Sequence, residues 1–143
     1  MSIESENTVR SSGFTLLELV ITCAIIAILA AIVYPSYTNS VQKSRRSEAT
    51  AALLGVASQM ERFSTEKGSY TLATLGAAPP AVFADHTESR YYNLSLTNLT
   101  ATTYTIRATP TGAQVGDPCG TLTYNEQGNK DVSGGTWTKA QCW

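Results

Sequence analysis

The side chains that could perform chemistry are few and scattered along this chain. His86 is the only histidine of the 143 residues, and it lies beside Asp85 and Glu88 in a segment without hydrophobic periodicity. The serines and threonines lack a partner base at triad spacing, and no GxxxxGK phosphate-binding loop is present. His86 is therefore expected to be a solvated surface residue. The chain is not expected to be an enzyme or to hold a cofactor.

Three acidic residues towards the C-terminus, Asp117, Glu126 and Asp131, are the one set that could hold a metal ion. Carboxylate oxygens are the ligands that Ca²⁺ prefers in proteins. Their spacing matches no metal-binding motif, so the sequence predicts no metal site and leaves a calcium site as a minor alternative.

The overall charge excludes one class of function. The chain has 10 Lys and Arg against 11 Asp and Glu, and only 15% of its residues are charged. This balance excludes a nucleic-acid clamp that works by bulk positive charge. Lys43, Arg45 and Arg46 form a local basic cluster that could contact lipid phosphates or an acidic neighbour. Such a cluster on an exposed helix is expected to be a solvated face.

Glu18 is the single charge in an otherwise apolar segment that runs from Phe14 to Tyr34. A helix of about 20 apolar residues can cross a bilayer, so the segment is expected to insert into a membrane. An acidic side chain at the centre of such a helix costs about 2.5 to 3.5 kcal/mol. Glu18 is therefore expected either to reach the membrane interface or to face a cation inside a protein assembly.

The run GFTLLELVITCAIIAILAAIVYPSY, which begins at Gly13, resembles the N-terminus of type IV pilins and the related pseudopilins. The shared features are Gly13 before the aromatic Phe14, Glu18 four residues later, an unbroken apolar helix, and Pro35 followed by Ser and Tyr. The resemblance implies that a prepilin peptidase removes a leader of residues 1–13, cutting between Gly13 and Phe14, and methylates the Phe14 amine. It also implies that Glu18 pairs with the Phe14 amine of a neighbouring subunit in a filament.

The resemblance further implies where the protein lies. Positive-charge counting alone would place the C-terminal part in the cytoplasm, because basic residues follow the apolar segment. Members of the family instead insert in the inner membrane with the headgroup in the periplasm, and then enter an extracellular pilus. The implied partners are other pilins, the prepilin peptidase, the inner-membrane assembly platform, and membrane lipid before assembly. DNA or a surface ligand as a further partner finds no support in the sequence.

A second pattern extends the helix beyond the apolar segment. Apolar side chains recur every three or four residues up to about Glu66, which predicts one apolar helix face. Its members are Ala49, Ala52, Leu53, Val56, Ala57, Met60 and Phe63. Pro35 removes a backbone donor, so a bend is expected near residues 31–35. Lys67 and Gly68 predict the end of the helix.

The remaining residues are expected to form a small antiparallel sheet. Residues 68–89 contain a Pro-Pro pair and no period, and are predicted to be a connecting loop. Three later segments then alternate apolar and polar side chains, from Tyr92 to Leu96, from Tyr104 to Ala108, and from Leu122 to Tyr124. The predicted fold class is α+β, with a long N-terminal helix packed on this sheet. Residues 14–36 are assigned to the transmembrane and filament-core helix, and residues 37–143 to the headgroup.

The cysteines divide between the apolar helix and the headgroup. Cys119 and Cys142 lie in the part that the resemblance places outside the cytoplasm, so a disulfide between them is expected. Cys23 is expected to stay a reduced thiol in the helix. The tail ends in Cys142 and Trp143 and resembles that of PilE-type minor pilins, which carry a C-terminal disulfide loop.

The expected function is that of a minor pilin, a structural subunit that contributes to pilus assembly and to pilus-dependent motility, adhesion or DNA uptake. A pseudopilin of a type II secretion system is the alternative, because it shares the N-terminal motif. A membrane-anchored enzyme or ligand-binding domain is a third hypothesis, and the lack of a catalytic set weighs against it.

Overall fold

The computed structural model describes residues 13–76 and 81–143. The helices are α1 (Leu16–Lys67) and α2 (Lys139–Cys142), and a short 3₁₀ turn spans Gly112–Gln114. The strands are β1 (Thr74–Leu75), β2 (Ala81–Phe83), β3 (Tyr92–Thr97), β4 (Thr105–Pro110), β5 (Thr121–Asn125) and β6 (Lys130–Ser133). Residues 1–12 of the predicted leader, and Pro79 and Pro80 of the predicted loop, lie outside the described residues.

The described chain separates into two compact units between Thr38 and Asn39. The first contains the N-terminal part of α1, and the second contains the rest of α1 and every strand. Within the described residues, α1 is the one helix whose length and apolar composition suffice to cross a membrane. It includes Pro35, and the bend expected there remains a prediction.

The second half of α1 has the apolar face that its periodicity predicts. Six side chains of that face are buried, namely Ala49, Leu53, Val56, Ala57, Met60 and Phe63, and Ala52 is partly buried. The helix ends at Lys67, and Gly68 follows with a φ of 73°. The Gly68 N–H donates to the Ser64 carbonyl over 2.7 Å. Glycine is suited to this position because it adopts the left-handed conformation at little cost.

A four-stranded antiparallel sheet packs on this helix face. Its strands lie in the order β3-β4-β5-β6. In the register Leu94 pairs with Ala108, and Ala108 pairs with Leu122, so that these three buried side chains form one row. The alternate residues are mostly Thr, Ser and Asn. The three predicted strands and the α+β fold class are therefore confirmed.

Two parts of the sheet structure differ from the sequence prediction. β6 was not predicted, because Val132 is its only apolar residue and leaves no alternation to detect. The segment 68–89, predicted to be a loop, contains β1 and β2, which pair in parallel as a separate two-stranded sheet. Strands of two and three residues are too short to show a period of two.

Candidate functional site

The N-terminal part of α1 exposes nearly all of its apolar side chains. Phe14 and Leu16 are each 81% exposed, and Ile32 is 68% exposed. Soluble proteins rarely expose contiguous apolar patches of more than a few hundred Å². This surface is therefore suited to lipid or to the equivalent helices of other subunits.

Glu18 lies on the same exposed segment, in the first turn of α1. Its backbone N–H donates to the Thr15 hydroxyl over 3.2 Å, which caps the start of the helix. Its carboxylate has no hydrogen-bond or ion-pair partner within residues 13–76 and 81–143. The processing and assembly roles expected of Gly13, Phe14 and Glu18 depend on a peptidase or a neighbouring subunit, and they remain proposals.

Cys119 and Cys142 form the expected disulfide, with their Cα atoms 5.7 Å apart. Cys119 is fully buried and Cys142 is 6% exposed, so the bond is largely shielded from solvent reductants. A Cβ atom on Gly135, which follows β6, would collide with the carbonyl oxygen of Pro118, so the close approach of these two backbone segments requires a glycine there. Cys23 is a free cysteine on the apolar helix.

Arg46 does not belong to the solvated face that the sequence predicted. It is only 6% exposed, and its Nε donates to Oδ2 of Asp117 over 3.1 Å. Asp117 is 4% exposed and also accepts the Tyr92 hydroxyl over 3.0 Å and the Cys119 N–H over 2.9 Å. A charge can be buried in this way because its partner compensates it and further hydrogen bonds satisfy the carboxylate.

This ion pair also changes the interpretation of the acidic residues. Asp117 is occupied by protein donors, and Glu126 accepts the backbone N–H of Tyr104 over 3.2 Å. Asp131 lies on β6 and accepts the N–H of Val132. Across the described residues, no three His, Cys, Asp or Glu side chains are close enough to share a metal ion. Asp117, Glu126 and Asp131 thus make separate contacts and are not gathered into one cluster within the described residues.

Gln114 extends the buried network and was not identified from the sequence. It is fully buried on the 3₁₀ turn, and its Nε2 donates to Asp117 and to the backbone carbonyl of Gln42 over 3.2 Å. Its Oε1 has no hydrogen-bond partner among the described residues. Burial raises the pKa of Tyr92 well above its ordinary value, and the negative charge of Asp117 raises it further.

Two tyrosines bind a single carboxylate farther along α1. The hydroxyls of Tyr70 and Tyr104 donate to Oε1 of Glu61 over 3.1 and 3.0 Å. Their rings meet edge to face with centroids 4.9 Å apart. Burial, followed by the bond to Glu61, raises the pKa of Tyr104 above its ordinary value, and the same two causes raise the pKa of Tyr70. This arrangement anchors the end of the helix to the sheet.

The C-terminal loop brings basic and aromatic side chains together. The Lys130 Nζ lies 5.1 Å from the ring centroid of Trp143, and the Arg46 Cζ lies 5.2 Å from that of Trp137. The indole N–H of Trp143 donates to a backbone carbonyl of β6 over 3.1 Å, which holds the ring in place. Lys139 is the first residue of α2. We call the Lys130 and Trp143 pair, together with Trp137 and Lys139 from the adjoining C-terminal segment, the basic-aromatic cluster.

His86 lies at the surface beside Asp85 and is partly exposed. Its side chain is 34% exposed, and its Nδ1 lies 2.6 Å from Oδ1 of Asp85. The hydrogen bond from His86 lowers the pKa of Asp85. The backbone of His86 pairs with that of Asn93 at the edge of β3.

Two family models match the chain. Residues 35–123, more than half of the chain, match the model described as type IV minor pilin ComP, DNA uptake sequence receptor. Residues 9–34 match the prokaryotic N-terminal methylation motif, which includes Gly13, Phe14 and Glu18.

Two curated proteins are similar in sequence. The type IV major pilin protein PilA of Myxococcus xanthus (strain DK1622) is 42% identical over 62 residues, which are 43% of this chain and 28% of that protein. The fimbrial protein EcpC of Eikenella corrodens is 34% identical over 97 residues, which are 68% of this chain and 61% of that protein. The chain thus spans less than two thirds of the length of each relative.

Two solved structures share the architecture. A type IV pilin from Shewanella oneidensis has a TM-score of 0.50 at 28% identity, covering 68% of this chain and 98% of that one. The non-core minor pilin PilV of Neisseria meningitidis has a TM-score of 0.54 at 24% identity, covering 70% of this chain and 94% of that one, which shows likeness of fold. The matched family and both solved structures are of structural pilins and not of enzymes. The match over residues 35–123 shows that the chain belongs to the ComP family of type IV minor pilins.

Proposed function

We propose that this chain is a minor subunit of a type IV pilus, held first in the inner membrane and then in the filament by its N-terminal segment. The observation that carries the proposal is the exposed apolar surface of α1, where Phe14 and Leu16 are each 81% exposed beside the unpartnered carboxylate of Glu18. Lipid tails cover the apolar side chains of a single subunit. Equivalent helices of neighbouring subunits cover them after assembly, with the headgroup outside the inner membrane throughout.

The same segment accounts for processing and pairing. A prepilin peptidase cuts between Gly13 and Phe14 and methylates the new amine, and the assembly platform then transfers the subunit to the filament. The Phe14 amine has an ordinary pKa of about 7.7 to 8.0 and carries a positive charge at neutral pH. In an apolar filament core this charge and the Glu18 carboxylate are each costly alone and less costly together. Pro35 provides the bend between the filament core and the headgroup.

Filament entry is tested by shearing pili from the native host and probing them for this chain. Its presence in washed filaments supports the proposal, and its confinement to the membrane fraction contradicts it. Deletion of the gene distinguishes a minor pilin from the alternative, a pseudopilin of a type II secretion system. Loss of a pilus-dependent phenotype with protein secretion intact supports the pilus assignment, whereas intact pili with lost secretion would favour a type II secretion system.

Within the pilus, we propose a role in DNA uptake. The support is the match to a family model described as a DNA uptake sequence receptor, together with the basic-aromatic cluster, where the Lys130 Nζ lies 5.1 Å from the Trp143 ring. A lysine beside an indole offers a phosphate contact next to a stacking surface. Because the chain carries a net charge of -1, binding depends on this local cluster. Motility and adhesion, the other roles that the resemblance implies, have no comparable observation on this chain.

The DNA role is tested with a Lys130→Gln and Lys139→Gln double variant of the full chain in detergent. Two lost phosphate contacts should weaken binding to duplex DNA and reduce the slope of log affinity against log salt by about 2. The matched control is Arg62→Gln with Lys67→Gln, which removes the same charge from the exposed end of α1. Equal effects of the two double variants would show that the cluster is not the DNA site.

A further inference from the structure

A cavity of about 300 Å³ lies beside the Arg46 and Asp117 pair, between α1 and the C-terminal loop. It is lined by Lys43, Arg46, Ser47, Thr50, Gln141, Cys142 and Trp143, so that no acidic side chain is among its described lining residues. A water molecule occupies about 30 Å³ of liquid, and the cavity therefore has room for roughly ten waters. This volume admits a phosphoester group.

Arg46 offers unused hydrogen-bond donors to this cavity. Its hydrogen bond within the described residues comes from Nε, so Nη1 and Nη2 retain their N–H groups for another acceptor. The side chain is only 7% exposed, and hydrogen bonds in such a partly desolvated place are stronger than in water. The planar fork of a guanidinium matches the oxygens of a phosphate.

Lys43 supplies the charge that selects an anion. The Arg46 and Asp117 pair is neutral as a unit, so the net positive charge at the cavity comes from Lys43, which is exposed on α1. Ser47 adds a hydroxyl that has no partner among the described residues. The lining therefore combines one free charge, two guanidinium nitrogens and a hydroxyl, a donor set that suits a phosphate.

The position of Lys43 in the chain indicates where that phosphate comes from. Tyr34 and Tyr37 follow the apolar segment, and tyrosine is enriched where a transmembrane helix meets the headgroups. Lys43 comes six positions after Tyr37, and six residues reach about 20 Å at most. A residue so close to the end of an inserted segment remains within reach of lipid headgroups.

We propose that this cavity binds the phosphate group of a membrane phospholipid while the chain is still in the membrane. The inference rests on the proposed function, because it requires α1 to be inserted. The two tryptophans of the chain report on the site, since Trp143 lines the cavity and the Trp137 ring lies 5.2 Å from the Arg46 Cζ.

The test uses the full chain in nanodiscs in which phosphatidylglycerol progressively replaces a phosphate-free galactolipid. Acrylamide quenching of tryptophan emission should fall as the phosphatidylglycerol content rises. Lys43→Gln should need about fivefold more phosphatidylglycerol for half of this protection. Lys43→Arg keeps the charge and should behave like the wild type, as should the control Arg62→Gln.

Several results would overturn the proposal. Equal protection in both lipids, or an unchanged phosphatidylglycerol dependence in Lys43→Gln, excludes a phosphate site in this cavity. Inorganic phosphate or duplex DNA can also be added to the galactolipid discs. If either protects the tryptophans and phosphatidylglycerol does not, the cavity binds that ligand, and the lipid is excluded as its occupant. A chain that fails to co-purify with any disc contradicts membrane insertion, and hence the proposed function as well. An inserted chain without lipid dependence contradicts this inference alone.

Discussion

Arg46 on α1 and Asp117 in the loop before β5 form a buried ion pair, in which Nε of the arginine lies 3.1 Å from Oδ2 of the aspartate. The two residues are 71 positions apart in the sequence. Because Asp117 also accepts the backbone N–H of Cys119, the pair connects the helix to the loop that carries the disulfide. The orientation of that loop on the headgroup therefore depends on one compensated charge.

Asp117→Ala should reduce the free energy of unfolding by about 3 to 5 kcal/mol, because it leaves the Arg46 guanidinium buried without its counter-charge. The measurement is urea unfolding of the full chain in detergent, followed by near-UV circular dichroism of the tryptophans. Asp85→Ala is the matched control, since the Asp85 side chain is 60% exposed. It should change stability by no more than about 0.5 kcal/mol. Equal shifts in the two variants would exclude a structural role for the ion pair.

The disulfide gives a second prediction. Replacing both Cys119 and Cys142 by alanine should lower the free energy of unfolding by about 3 kcal/mol, because the bond closes a loop with a sequence separation of 23. The urea midpoint of the wild type, compared with and without reductant, should move in the same direction. Cys23→Ala serves as the control and should leave the midpoint unchanged, as that residue lies on the exposed apolar helix. A reductant-independent wild-type midpoint would contradict the prediction.

Features that depend on local periodicity could be predicted from the sequence. The buried stripe from Ala49 to Phe63 follows the period of a helix, and β3 to β5 follow the alternation of a strand with one wet face. Gly68 marks the end of α1 because only glycine readily adopts its φ of 73°. In each case the deciding information lies within a few residues.

Features that depend on distant partners could not be predicted. Nothing near Arg46 distinguishes it from the exposed Lys43, because its partner Asp117 is 71 residues away. Gln114 carries no local sign of burial, since its position depends on the packing of the 3₁₀ turn against α1. β6 follows a turn in which Asn125 accepts the N–H of Asn129 over 2.8 Å, a contact that exists only once the chain is folded.

Tyr104 should make the headgroup sensitive to alkali. It is 2% exposed, and burial together with its bond to Glu61 raises its pKa above the ordinary 10.0. The unfolded chain loses this proton near pH 10 while the folded chain retains it. Stability is therefore complete below pH 10 and falls as the pH rises above it, with a slope that approaches about 1.4 kcal/mol per pH unit for each such tyrosine.

Tyr104→Phe should reduce that slope by the contribution of one tyrosine, as measured by urea unfolding at several pH values above 10. Tyr92, which is also fully buried, should account for part of the slope that remains. The control is Tyr37→Phe, which removes the same hydroxyl from a side chain that is 66% exposed. A slope unchanged by Tyr104→Phe would show that its hydroxyl ionises freely in the folded protein.

The N-terminal processing can be read directly by mass spectrometry of the protein purified from its native host. The mature chain should begin at Phe14 and carry a methylated amine, in keeping with the methylation motif matched over residues 9–34. Gly13→Ala should slow the cut, and a bulkier Gly13→Val should block it if the peptidase requires an unhindered glycine. Assembled pili that contain chains starting at Met1 would contradict this prediction.

Glu18 should matter for assembly and not for membrane insertion or for folding of the headgroup. Its carboxylate has no partner within the described residues, and it gains one only when the Phe14 amine of another subunit enters the same apolar surroundings. Glu18→Ala removes a charge from the apolar segment, where an acidic side chain is costly in a membrane. The variant should therefore reach the membrane at least as well as the wild type, and yet enter filaments poorly.

Two measurements on the same cells separate these effects, namely the amount of chain in the membrane fraction and the amount in sheared pili. Glu66→Ala is the matched control, because it removes the same charge from an exposed position near the other end of α1 and should assemble normally. If Glu18→Ala disappears from the membrane fraction, the residue acts in insertion and the pairing argument is wrong. If it is processed, present and fully competent for filament entry, the amine does not need this partner. A partial defect, weaker than that of a shaft subunit, is the result expected of a subunit confined to the tip, where fewer neighbours bring an amine to Glu18.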